Sequence, residues 1–238
     1  YRKPVLTLIA ERMPLTLLLM VVQLAVAVAG GIMLGAFSGQ RTNSRVDSFI
    51  QFSSLVLLSM PIFWLGEILL LVFSLYLGWL PVSGFISSIP PINPFAYVVD
   101  ILKHLVLPAF TLMGGTIPMI VRLTRSGVLE VSARGFVTTA RSKGVKERTV
   151  FLRHVLPNAL LPVVTLIGMQ AGYLLAGATL TETVFAWPGL GRLTFEAVMA
   201  LDYPVIMGTF LVVSLSVIIA NLVTDICYGI LDPRIRYE

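Results

Sequence analysis

Long uncharged apolar runs alternate along this chain with short polar connections, and that alternation is its first structural signal. The runs cover residues 13–40, 48–66, 104–121, 155–181 and 203–224. Each is near the ~20 residues a helix needs to cross a hydrocarbon layer of ~30 Å. The second continues through Glu67 to about residue 78, with Pro61 bending it. A backbone in lipid must close its own hydrogen bonds, so runs of this length cross as helices. The pattern therefore predicts an all-α fold: a polytopic transmembrane helical bundle forming one domain over 1–238. Its five spans fall at about 14–38, 48–78, 104–123, 156–181 and 203–226.

Composition agrees with lipid as the solvent. Hydrophobic residues make up 57% of the chain and charged ones only 12%, against roughly a quarter in a soluble domain. A chain this apolar would expose large sticky patches in water. The net charge of +5 raises nucleic acid as a partner, but the basic residues lie between apolar runs, where membrane topology accounts for them. The lone Cys227 allows no internal disulfide and reads as a packing residue.

Orientation follows from Lys and Arg. Twelve of the seventeen lie in the connections between spans one and two and between spans three and four, and in the C-terminal tail with Arg234 and Arg236. The other side holds Arg2, Lys3, Arg12, Lys103 and Arg192. The positive-inside rule places the first group in the cytoplasm, so the N-terminus is outside and the C-terminus inside. A chain that opens on the outer face with Tyr1 implies at least one earlier span. The outer connections are punctuated by Pro and Gly, and residues 78–103 read as structured but helix-poor. Trp79, Trp187 and Tyr203 sit where interfacial aromatic anchors are expected.

The connection between spans three and four, about 124–155, is the most informative stretch. Residues 122–154 hold eight Lys/Arg and two Glu. They read as two short amphipathic helices around a glycine: 130–143 ends at Gly144, and 145–155 resumes until Pro157. Two readings stand. One is an interfacial helix held by anionic lipid. The other is a docking helix that passes a soluble partner's motion to the flanking spans.

Here the residues carry a resemblance. Thr138-Thr139-Ala140-Arg141-Ser142-Lys143-Gly144, followed after nine residues by His154-Val155-Leu156-Pro157, resembles the EAA loop of ABC importer permeases of type I fold. Ala140, Gly144, Leu156 and Pro157 match that pattern. Thr138 and Thr139 replace its Glu and first Ala, and His154 its Ile, in the form familiar from the peptide/nickel branch. SMPIFWLGEILLLVF, LGWLPVSG, TETVFAWPGLGRL, DYPVIMG and NLVTDICYGILDPRIRY are similar to that branch in the same order. The resemblance implies a pore-forming permease of a bacterial or archaeal inner membrane, paired with a sister permease, usually as a heterodimer. It implies separate ABC ATPase subunits that bind ATP and Mg, and a periplasmic or lipid-anchored solute-binding protein. Phe136, Thr138, Thr139, Ala140, Arg141, Lys143 and Gly144, with Leu156 and Pro157, would then form the coupling loop. Di- or oligopeptides are the expected solute, with nickel, glutathione or another small solute as alternatives.

The residues themselves add restraint. No G-x-x-x-x-G-K-[ST] loop occurs, so ATP must be bound elsewhere, and no catalytic constellation or metal cluster is visible. His104 and His154 fall on opposite sides by topology. Arg141 and Lys143 pair with acidic groove residues or merely serve topology. Small residues at 113–115 and 168–177 read as helix packing. Glu67, inside an apolar span, either lines the transport path, snorkels, is protonated or pairs with the sister subunit. An ion-coupled secondary transporter is the competing class, but it would carry more mid-membrane ionisable groups and half-repeats.

Overall fold

The computed structural model describes residues 3–173 and 178–231, which form helices and their connections. Arg2, Arg234, Arg236 and the end of the 168–177 small-residue stretch lie outside the described residues, and the side chain of Cys227 is likewise not described. The helices are α1 (Val5–Gln40), α2 (Arg45–Ser59), α3 (Ile62–Leu69), α4 (Pro94–Ser132), α5 (Gly135–Ser142), α6 (Glu147–Val150), α7 (Leu156–Ala159), α8 (Leu161–Tyr173), α9 (Thr179–Val184), α10 (Leu190–Met199) and α11 (Tyr203–Leu231). Wider π-helical turns at Leu70–Tyr76 and Phe151–Val155 extend α3 and join α6 to α7. Among the described residues, α1 and α4 are each long and apolar enough to cross a membrane. The count rises to four if two broken pairs each make one span: α2 with α3, and Glu147–Ala159 with Leu161–Gln170, the latter bent by 44°.

The chain divides into two compact units. One comprises Ala25–Ser59 and Gly115–Met169. In it, three glycines at four-residue spacing on α1 meet α4. A Cβ on Gly31 would lie 2.7 Å from the Ile120 side chain, one on Gly35 2.6 Å from the Val121 carbonyl, and one on Gly39 2.8 Å from Val128. Small residues every four positions let two helix backbones approach where apolar area alone gives no drive in lipid. Below this seam, Val128, Val131, Val137, Ala140, Val150, Val155 and Ala159 form a core that ties α5 to α4, α6 and α7.

The polar connection differs from its sequence pattern in two places. The expected helix over 130–143 is broken: α4 ends at Ser132, and Arg134 takes an extended backbone before α5 begins. The break turns Val137 and Ala140 back onto Val128 and Val131, which a continuous helix would carry away from that core. Pro157 does not stop the second helix. It occupies the first turn of α7, where a missing N–H costs least, while the Asn158 side chain donates to the His154 carbonyl at 2.8 Å.

The other unit comprises Tyr1–Leu24, Met60–Gly114 and Gln170–Glu238. Leu8 and Ile9 of α1 pack with Leu190, Leu193 and Ala197 of α10 and Val205 of α11. α4 begins at Pro94, ten residues earlier than the apolar run, because the Asn93 side chain accepts the Phe95 N–H at 2.9 Å and caps the helix. Trp187 corrects a second expectation. It is fully buried rather than interfacial, donates Nε1–H to the Leu15 carbonyl at 3.1 Å and meets Phe85 edge to face. Trp79 and Tyr203 are exposed, as anchors would be.

Candidate coupling element and its supports

α5 is two turns long and two-faced. Val137 and Ala140 are buried in the valine core. Phe136, Thr138, Thr139, Arg141, Ser142 and Lys143 are exposed, and Phe136 leaves 44% of its surface open. The exposed hydroxyls are internally satisfied: Thr139 donates to the Gly135 carbonyl at 3.0 Å and Ser142 to the Thr138 carbonyl at 3.1 Å. The helix stops at Gly144, whose φ of +74° lies in the left-handed region that favours glycine. Its N–H returns to the Arg141 carbonyl at 2.9 Å, and the Val145 N–H to the Ala140 carbonyl at 3.4 Å. Nothing would touch a Cβ at Gly144, so backbone conformation alone requires glycine there.

Across that turn Arg141 grips Glu147 through Nε at 3.1 Å and Nη2 at 2.7 Å. The guanidinium hydrogen bond holds the Glu147 carboxyl below its ordinary value and pushes Arg141 up. Both side chains are exposed, so the pair orients the turn and adds little stability. The sequence left Arg141 open between an outside partner and topology; it has an internal partner.

Of the residues the coupling pattern gathers, Phe136, Thr138, Thr139, Arg141, Lys143 and Gly144 share the exposed side of α5 and its end, with Ala140 underneath. Leu156 and Pro157 do not join that surface. They lie where the π turn enters α7, and α7 backs directly onto α4: a Cβ on Gly127 would be 2.5 Å from the Ala159 carbonyl. Glu67 stands apart in the other unit, exposed on α3 and without an ion pair among the described residues.

The sequence reading missed a buried ion pair on α4, one helical turn before the Val128 against which α5 packs. Asp47, at the start of α2, is 3% exposed and receives Arg125 of α4 through Nε to Oδ1 and Nη2 to Oδ2, both at 2.8 Å. The Ser38 hydroxyl donates to the same carboxylate, as does the Asn43 N–H at 3.0 Å. The Arg125 hydrogen bond, ahead of the opposing cost of burial, holds the Asp47 carboxyl well below the usual carboxylate range. Ser44, which accepts the Asp47 N–H at 3.1 Å, caps α2. The Ser44-x-x-Asp47 spacing was a readable capping signal. The partner 78 residues away was not.

A second buried acid lies in the other unit. Glu182 of α9 has no exposed surface; it accepts the Thr16 hydroxyl at 2.7 Å and the Arg192 N–H at 3.0 Å, with the Gly191 N–H also directed at it. Thr16 in turn accepts the Leu190 N–H at 2.8 Å. The carboxyl thus closes the first turn of α10 and fastens it to α1. A Cβ on Gly189 would lie 2.3 Å from its carboxyl carbon, so only glycine lets the backbone pass there. Burial pushes this carboxyl above its ordinary value against those hydrogen bonds.

Apolar helices of spanning length, glycine-mediated seams between them and exposed aliphatic surface throughout define a polytopic helical membrane protein. Residues 31–237 match the family described as binding-protein-dependent transport system inner membrane component. The chain is 41% identical over 234 residues to the oligopeptide transport system permease protein AppB of Bacillus subtilis, covering 98% of this chain and 73% of that protein. It is 41% identical over 256 residues to the dipeptide transport system permease protein DppB of Escherichia coli K12, covering 100% and 75%. A chain from inward-facing MetNI methionine ABC transporter shares its fold, with a TM-score of 0.74, 16% identity, and 98% and 100% coverage. This chain belongs to the binding-protein-dependent inner membrane component family: it is a multi-pass permease subunit of an ABC importer, a transport component and not a catalytic one.

Proposed function

We propose that this subunit moves di- or oligopeptides across the inner membrane, with α5 as the handle gripped by a separate ABC ATPase that binds ATP and Mg. The observation that carries the coupling role is the two-faced α5: its inner face is locked to α4, α6 and α7, and its outer face presents Phe136, Thr138, Thr139, Arg141 and Lys143. A short helix so rooted transmits a rigid-body displacement to the long helices instead of yielding to it. The peptide assignment draws on the relatives, which are named as oligopeptide and dipeptide permeases.

The remaining parts of the machine are a sister permease completing the pore and a periplasmic or lipid-anchored binding protein delivering solute. In this reading there are five spans, the N-terminal end faces outward and the C-terminal end and α5 face the cytoplasm. Glu67 is a candidate for the path or for the sister interface, since an exposed carboxylate on an apolar helix needs a polar neighbour in lipid.

The test is uptake by proteoliposomes holding the full transporter and its binding protein. Gly144→Val should cost about 1–3 kcal/mol locally through its left-handed backbone and uncouple ATP hydrolysis from dipeptide uptake while leaving membrane insertion intact. Ala140→Phe should do the same by lifting α5 off the valine core. Normal coupled uptake in both variants removes α5 as the handle. Uptake of some other solute, with dipeptide ignored, removes the peptide assignment alone.

A further inference from the structure

A groove of about 610 Å³ opens in the unit that carries α5, between α2, α4 and α8. Its lining is graded. Gln51, Arg122, Arg125 and Ser126 form one end, and Leu58, Met119 and Leu166 form the other, with Leu123 between. The Asp47–Arg125 pair fixes the grade, because it sets the first turn of α2 level with Arg125. From Gln51, one turn beyond that level, the groove runs about two turns along α2 to Leu58 and back along α4 to Met119.

The two arginines are unlike. Arg125 commits Nε and Nη2 to Asp47, which sets its guanidinium as a fixed wall. Arg122, one helical turn earlier on the same face, is exposed and forms no ion pair among the described residues. The Ser126 hydroxyl is turned to the Leu123 carbonyl at 3.0 Å and Gln51 gives one amide N–H to Ser38 at 3.2 Å, so the donors left to a ligand are the Arg122 guanidinium and the second Gln51 N–H; a planar, bidentate donor of this kind suits a phosphodiester. The aliphatic end suits the start of an acyl chain. A cationic rim above aliphatic walls, on a chain whose helix ends meet the bilayer surface, is the arrangement in which basic pockets between spans bind anionic headgroups.

We propose that this groove binds the phosphodiester headgroup of an anionic bilayer phospholipid, with Arg122 as its principal charge contact. The lipid would fill the gap between α2, α4 and α8 directly beside the ion pair that joins α2 to α4. The site does not depend on which solute the transporter carries.

The test uses the complete transporter in nanodiscs of equal phosphatidylglycerol and phosphatidylcholine, with native mass spectrometry counting the lipids retained after release. Wild type should retain phosphatidylglycerol in preference, and R122Q should lower that preference about fivefold. R122K should restore only part of it, because an ammonium keeps the charge without the planar pair of donors, and R153Q, an equal loss of charge at an exposed site off the groove, should leave it unchanged. L166W, which fills the aliphatic end, should lower retention without touching charge. Equal losses in R122Q and R153Q, or no loss in L166W, would reduce the effect to general surface attraction and overturn the site. Displacement by inorganic phosphate would reassign the groove to free anions. Displacement by a dipeptide would reassign it to solute.

Discussion

Among the described residues each unit buries one carboxyl group, and the two are held by opposite means. Asp47 has a full counter-ion: a bidentate guanidinium, a hydroxyl and a backbone N–H surround it. Glu182 forms no ion pair among the described residues, feels the charge of Arg12 only at a distance, and relies on a hydroxyl and two backbone N–H groups at a helix start. The same burial therefore moves the two acids apart: the charged form is favoured at Asp47 and penalised at Glu182. One is an electrostatic clamp joining α2 to α4. The other is a polar latch fastening the 185–193 turn to α1.

The sharpest way to break this comparison is to remove one side of the clamp. Arg125→Ala leaves Asp47 buried with an uncompensated charge, which should cost about 3 kcal/mol; partial exposure of Arg125, at 24%, keeps it at the low end of such pairs. Thermal unfolding of the purified assembly checks it. Asp47→Asn, which keeps the shape and two of the hydrogen-bond positions, should lose clearly less. Equal and small losses in both would mean that the pair is not a clamp between α2 and α4.

The latch should respond in another order. Glu182→Ala leaves the Thr16 hydroxyl and two N–H groups without their acceptor, at about 1–3 kcal/mol. Glu182→Gln keeps an acceptor of the same length, removes the charge that burial opposes, and should cost less than 1 kcal/mol by the same reasoning. The pH signs also oppose. A folded value above the unfolded one makes Glu182 stabilise most at low pH, and its contribution declines as pH rises above the ordinary glutamate value towards the raised one. Asp47 does the reverse: its contribution is whole at neutral pH and is lost as pH falls below the ordinary aspartate range. Stability profiles of Glu182→Gln and Asp47→Asn should therefore flatten on opposite sides, the first above the ordinary carboxyl range and the second below it. Flattening on one shared side would contradict the contrast.

What could be read from sequence follows the same division. The all-helical pattern, the basic connection and Gly144 as a stop are local features, set by hydropathy period and by what glycine permits. The Gly31, Gly35 and Gly39 stripe was local too, and its four-residue spacing was there to be used. Long-range partners were not legible: Arg125 for Asp47, Thr16 for Glu182, Leu15 for Trp187. Trp187 fitted an interfacial anchor by residue type, and only tertiary packing shows that its ring is covered. The turn at Arg134 hid for a related reason. It exists to face Val137 and Ala140 towards valines contributed by other helices.

The least effect should come from the most visible charge pair. Arg141 and Glu147 are joined by two short hydrogen bonds, yet both are open to solvent, where side-chain ordering and screening consume most of the Coulomb gain. Glu147→Gln should therefore shift unfolding by no more than about 0.5 kcal/mol. Its place beside α5 gives it a second readout. Freed from Glu147, Arg141 is released on the face that the proposed function gives to the ATPase, so on that proposal coupled uptake should change more than stability does. A large drop in stability would promote this exposed pair to the rank of the Asp47 clamp. It would then be distance and hydrogen-bond number, not burial, that separates a structural ion pair from a surface one in this protein.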